Sequence, residues 1–142
     1  MRLTIVSGLS GSGKTVALRT LEDEGYYCVD NLPASLLPNL IAHLKSSSLD
    51  YYGKVAVGLD ARGEPQGLQA FPEILQDLRK TGVEIEILFL QTEDATLMRR
   101  FSETRRKHPL SSLDRPLDNA IALERSLLGE LIDLADMIID TT

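Results

Sequence analysis

A chain of 142 residues, 43% hydrophobic and 25% charged, has the composition of an ordinary soluble globular protein and is long enough for one domain to bury a core without staples. Fifteen basic against twenty-one acidic residues leave a net charge of −6, which argues against the domain as a whole binding nucleic acid, because phosphate neutralisation supplies most of that affinity. The single cysteine excludes an internal disulfide and fits a reducing cytoplasm, and the sequence predicts neither a membrane span nor a signal peptide.

Leu3-Thr4-Ile5-Val6 is a short β-branched run and predicts a buried strand. Gly8-Leu9-Ser10-Gly11-Ser12-Gly13-Lys14-Thr15 follows and fits G-x-x-x-x-G-K-[ST], the phosphate-binding P-loop; Val16 to Glu24 then reads as a helix. Gly25 stops that helix, Tyr26 to Asp30 predicts a second strand, and Asn31-Leu32-Pro33 breaks the backbone. Pro33 is suited to opening a helix that carries Leu36, Leu37, Leu40, Ile41 and Leu44 on one face and ends at Ser46-Ser47-Ser48. Lys54 to Leu59 predicts a third strand, ended by Asp60, and Ala61 to Gly67 has the composition of a turn. Leu68 to Thr81 reads as a helix interrupted early by Pro72, stopped by Gly82 and followed by a strand over Ile85–Gln91. Thr92-Glu93-Asp94 is suited to capping a helix with Leu97, Met98 and Phe101 on one face; it runs into the basic cluster Arg99, Arg100, Arg105, Arg106, Lys107 and His108, closed by Pro109. Leu117 to Ala135 predicts one helix with Ile121, Leu127, Leu128, Leu131 and Ala135 inward, and Met137 to Asp140 a fifth strand. Strands alternating with helices predict an α/β fold with a parallel sheet covered on both faces, whose ligands bind at the carboxyl ends of the strands.

Each fixed position of the loop has a physical task. The glycines let successive N–H groups turn inward around phosphate oxygens, and the helix that opens at the loop adds the positive end of its dipole. Lys14 places a point charge on the β/γ-phosphates, and the Thr15 hydroxyl is a ligand for Mg²⁺. Asp60, ending an apolar strand, stands where a Walker-B aspartate holds Mg²⁺ directly or through water; Asp30 occupies the same position after the second strand and competes for the role. Asp140 is assigned none. Arginines carried by a mobile segment stabilise the charge of a transferring γ-phosphoryl group, so Arg105 or Arg106 is expected to act as a lid residue. Cys28 reads as a buried, inert thiol, His43 as a surface residue, and His108 as part of the basic loop only. No metal-ligand spacing of Cys and His and no Ser-His-Asp arrangement is present.

Gly8–Thr15, the run Gly25-Tyr26-Tyr27-Cys28-Val29-Asp30-Asn31-Leu32-Pro33, the segment Asp60-Ala61-Arg62-Gly63, and Phe101-Ser102-Glu103-Thr104-Arg105-Arg106-Lys107-His108-Pro109-Leu110 together resemble the RapZ/YvcJ nucleotide-binding proteins of bacteria, from end to end of this chain. The resemblance implies a three-layer P-loop fold of kinase-like topology with a mostly parallel five-stranded sheet, binding and slowly hydrolysing ATP and GTP with Mg²⁺. It places the ATP site on Gly8–Thr15 and a GTP-associated segment on Asp60–Gly63. One P-loop holds one triphosphate, so Asp60, Ala61, Arg62 and Gly63 are expected to complete the same site. Gly63 stands where the family commonly has Asn or Ser. The resemblance further implies an RNase adapter that presents a small regulatory RNA for cleavage. Its RNA contacts would lie mainly in a C-terminal half, so this chain is expected to be the N-terminal domain and to oligomerise, if at all, as part of the longer protein.

Two other readings share these residues. A small-molecule or nucleoside-monophosphate kinase would use the same fold and arginine lid, and an RNA-binding domain would need a basic patch strong enough to overcome the acidic balance.

Overall fold

The first strand, β1 (Arg2–Gly8), is buried from Leu3 onward, as a β-branched run at the centre of a parallel sheet must be. It pairs in parallel with β3 (Lys54–Asp60) on one side and β4 (Glu84–Gln91) on the other. The edges are β2 (Tyr27–Pro33), parallel to β3, and β5 (Met137–Asp140), parallel to β4, giving the order β2-β3-β1-β4-β5. The computed structural model describes residues 1–9, 11–46, 53–60, 70–104, 108 and 116–142.

The period of two along each strand splits the core. Leu3, Ile5, Val55, Val57, Ile87 and Phe89 face the larger cluster, closed by α2 (Leu37–Lys45), α3 (Phe71–Lys80), α4 (Asp94–Thr104), α5 (Leu117–Leu127) and α6 (Gly129–Leu134). Val6, Ala56 and Leu90 face the other way and are covered, among the described residues, by Leu18 of α1 (Lys14–Asp23). The chain leaves β1 toward β2 and later returns from β3 across to β4. The loop after β1 therefore stands where the strand order reverses, the place where open α/β sheets form their ligand crevice.

Several expectations about these elements change. Asn31-Leu32-Pro33 does not end β2: Asn31 adopts φ 55, the register shifts between Val29 and Leu32, and pairing resumes at Leu32↔Leu59 and Pro33↔Asp60. The break is a bulge inside the strand, with Asn able to take the left-handed conformation that a β-branched residue resists. Pro33 then caps a short 3₁₀ turn, Ala34–Leu36, that leads into α2. Pro72 starts α3 instead of interrupting it, since a first-turn residue has no helical partner for its N–H to lose.

The single helix expected over Leu117–Ala135 is two, broken at Leu128 (φ −92, ψ 1) ahead of Gly129. Met98 is 40% exposed whereas Leu97 is 0% and Phe101 8%, because a one-residue step turns 100° around a helix and only positions i and i+4 share the core face. Leu36, expected on the same face as Leu37, is 46% exposed, because it ends the 3₁₀ turn before α2 begins; the inward assignments at Leu37, Ile41, Leu44, Ile121, Leu128 and Leu131 agree with the periodicity.

Candidate functional site

The P-loop is built from backbone. Gly8, Gly11 and Gly13 all have positive φ, 154, 86 and 100, which L side chains rarely adopt. Gly8 also has no room for a side chain: a Cβ would stand 2.6 Å from the Leu90 carbonyl oxygen and 2.8 Å from Ser12 Oγ. Gly13 is the opposite case, with nothing within 4 Å of such a Cβ, so open space lies over it. It is the N-cap of α1 in the left-handed conformation and makes no side-chain capping bond. The positive end of the α1 dipole thus faces the loop, and no acidic residue in the first turn opposes an anion. Ser12 is buried and its Oγ has no hydrogen-bond partner among the described residues, an orphaned hydroxyl inside the loop. Lys14 is half-buried at the head of α1 and Thr15 beside it is exposed. Leu9 is fully buried in the larger core, so what it offers a phosphate is backbone only. Ser10 lies outside the described residues.

Other side chains hold the loop in place. The Phe101 ring lies under Gly11, where a Cβ would stand 3.2 Å from Phe101 Cε2. His108, expected to matter only within a basic loop, is instead buried: it packs on Phe101 with ring centroids 5.1 Å apart, and its Nε2 lies 3.3 Å from Oε1 of buried Glu124 on α5. The sequence hid this because His108 and Glu124 are sixteen residues apart and only the fold brings them together. Arg100, another member of the basic cluster, is turned to the loop: its Nη1 donates to the Gly11 carbonyl at 3.0 Å. Arg105 and Arg106, the expected lid residues, lie outside the described residues.

Of the two carboxylates competing for Mg²⁺, Asp30 has a defined place. A Cβ on Gly58 would stand 2.5 Å from Asp30 Oδ1 and 2.9 Å from Leu18 Cδ1. The carboxylate therefore reaches over β3 on the face that α1 covers, beside Leu18, and its Oδ1 accepts the N–H of Asn31 at 2.8 Å. The bulge re-aims it, and Gly58 makes the space. A lone Gly inside a β-branched run was the available signal. Asp60 is the last residue of β3, opposite Pro33; its side chain, with Ala61, Arg62 and Gly63, lies outside the described residues. Among the described residues no group of three or more His, Cys, Asp or Glu stands together as a metal cage. Mg²⁺ at a nucleotide needs none: it takes one or two protein oxygens and completes its shell with phosphate and water.

Cys28 is half-buried, with Sγ donating to the Leu18 carbonyl at 3.3 Å. Burial, then the nearby Glu22 carboxylate, raises its pKa, as expected of an inert thiol. His43 is exposed. No helix among the described residues is long and apolar enough to cross a membrane.

Solved structures with the same architecture include a sugar kinase from Janibacter sp. (TM-score 0.58, 16% identity, covering 99% of this chain and 86% of that one). Another is shikimate kinase from Bacteroides thetaiotaomicron (TM-score 0.57, 13% identity, covering 98% and 86%). At such identities they establish the fold, a P-loop kinase fold. Curated relatives are far nearer: a nucleotide-binding protein of Halorhodospira halophila is 54% identical over 142 residues, all of this chain and 50% of that protein. A nucleotide-binding protein of Methylococcus capsulatus is 54% identical over all of this chain and 48% of its own length. The chain thus spans about half the length of the curated relatives it matches. The profile of the RapZ-like N-terminal domain matches residues 1–142, and with it the chain belongs to the RapZ-like N-terminal domain family.

Proposed function

We propose that this domain binds ATP or GTP with Mg²⁺ at Gly8–Thr15 and hydrolyses it slowly, as the nucleotide-sensing part of a longer cytoplasmic RNase adapter. The observation that carries the reading is the glycine-built loop entering α1 at left-handed Gly13, with open space over Gly13 beside the orphaned Ser12 hydroxyl. Lys14 neutralises the β/γ-phosphates. Thr15 and Asp60, or Asp30 in its place, hold Mg²⁺, which supplies charge neutralisation at the phosphates. Ala61, Arg62 and Gly63 complete the same site, and Arg105 or Arg106 stabilises the γ-phosphoryl group. The nucleotide state biases the half of the relatives that lies outside this chain, through which small regulatory RNA and RNase are engaged. Calorimetry with MgATP and MgGTP tests the site: Lys14→Ala should abolish triphosphate binding, and unchanged affinity would sink the reading.

A second reading is transfer of the γ-phosphoryl group to a small hydroxylic acceptor, as in the kinases of the same fold. Asp30, held beside the β2 bulge over Gly58, favours it as a group that could meet an acceptor. A screen of small acceptors against water separates the two; robust transfer would replace hydrolysis as the activity.

A further inference from the structure

The residues that follow β5 are bonded to the P-loop. Thr141 continues the sheet by donating its N–H to the Gln91 carbonyl at 2.8 Å, and its hydroxyl donates to the Ser12 carbonyl at 2.7 Å. That donation uses the hydroxyl's one proton, so in the 2.6 Å contact between Thr141 Oγ1 and Thr92 Oγ1 the donor is Thr92. Arg100 bridges the two segments, with Nη1 donating to the Gly11 carbonyl at 3.0 Å and Nη2 donating to the Thr141 carbonyl. Thr142 is fastened in turn: its N–H donates to Asp140 Oδ1 at 2.9 Å and its hydroxyl accepts the N–H of Glu93 at 3.1 Å.

Peptide planarity gives these bonds a consequence for phosphate. In a trans peptide the C=O and the next N–H point in opposite directions, so holding a carbonyl aims the following amide. Arg100 on the Gly11 carbonyl turns the Ser12 N–H into the loop, where it donates to the Leu9 carbonyl at 3.0 Å. Thr141 on the Ser12 carbonyl fixes the same peptide plane and turns the Gly13 N–H away from Thr141.

We infer that Arg100 and Thr141 are positioning residues of the phosphate site, and that through them occupancy of the P-loop is read by the segment leaving β5. The inference rests on the nucleotide reading above and extends it. A bound triphosphate favours the loop geometry that Thr141 enforces, and by reciprocity it favours the ordered Thr141–Thr142 segment. In relatives about twice as long, that segment is where the state of the nucleotide site would pass to the other half.

Amide NMR of the 142-residue chain titrated with MgATP and MgGTP tests this. Gly13 and Lys14 resonances should shift, and Thr141 and Thr142 should shift with the same midpoint. Thr141→Val keeps the shape and removes the donor: the Gly13 and Lys14 shifts should persist with a midpoint raised about two- to tenfold, the worth of one hydrogen bond, while the Thr142 shift disappears. Thr141→Ser should restore both, and Arg100→Gln should weaken binding by a similar factor with a folded-state spectrum otherwise retained. Thr141 and Thr142 amides that stay still at saturation in the unmodified chain would overturn the coupling while leaving nucleotide binding intact. So would a Thr141→Val chain that behaves as unmodified. Gly13 and Lys14 amides that move with neither nucleotide would overturn the nucleotide reading and the coupling with it.

Discussion

His108 Nε2 and Glu124 Oε1 lie 3.3 Å apart, both side chains out of solvent, and the pair joins the residue beyond α4 to α5. Phe101 continues the chain of contacts to Gly11, so the P-loop is backed by a buried polar pair. Removing one partner leaves the other buried with a lost bond. Glu124→Ala should therefore cost about 3 kcal/mol of stability, read as a fall in thermal midpoint. The double variant His108→Leu with Glu124→Leu should recover much of it. A Glu124→Ala chain as stable as the unmodified one would contradict the pairing.

Gly58→Ala tests the place of Asp30. The new Cβ meets Asp30 Oδ1 at 2.5 Å and Leu18 Cδ1 at 2.9 Å, so the carboxylate must move away from the α1 face. Overpacking of this kind costs about 1–3 kcal/mol. If Asp30 serves the metal, triphosphate turnover should fall further than stability does, and Asp30→Asn should lower turnover alike with a smaller loss of thermal midpoint. Turnover unchanged in both variants would return the metal role to Asp60.

Gly13→Ala separates strain from obstruction. No neighbour lies within 4 Å of the added methyl, but φ 100 makes it costly by about 1–2 kcal/mol. The thermal midpoint should drop by a few degrees, while the methyl projects into the space before α1 and should lower triphosphate affinity at least about tenfold, a difference of 1.4 kcal/mol. Calorimetry showing unaltered affinity would place the phosphates elsewhere.

Cys28 should alkylate slowly. Burial first and Glu22 second raise its pKa, so at neutral pH the thiolate fraction is below that of a free thiol. The folded state holds the thiol proton more tightly than the unfolded one. This contribution to stability is therefore present at neutral pH and is lost as pH rises through the folded thiol's titration range. Glu22→Gln removes the second cause and should speed modification by iodoacetamide; an unchanged rate would leave burial alone responsible.

The sequence by itself determined the P-loop, the alternation of strands and helices, and most core faces, because these are local: a motif, a period of two or of about 3.6, a Gly or Pro at a boundary. It placed β1, α1, β4 and β5 within a few residues and identified Gly8 and Gly13 as fixed positions of the motif, while the need for Gly11 shows only in its φ of 86 and its contact with Phe101. What lay beyond it depended on contacts between distant segments. The bulge at Asn31 is visible only against β3, where pairing resumes at Leu32↔Leu59. The break at Leu128 stands beside Gly129, a glycine that the apolar periodicity carried on both sides made easy to pass over, and Met98 looked as apolar as Leu97 until the helix was docked. Arg100 and His108 read as members of one basic cluster, yet the fold gives the first to the Gly11 carbonyl and the second to Glu124. Thr141 is the clearest instance. It carries no motif, and only the parallel pairing of β5 with β4 brings its hydroxyl to Ser12, because proximity across a sheet is set by strand order and not by distance along the chain.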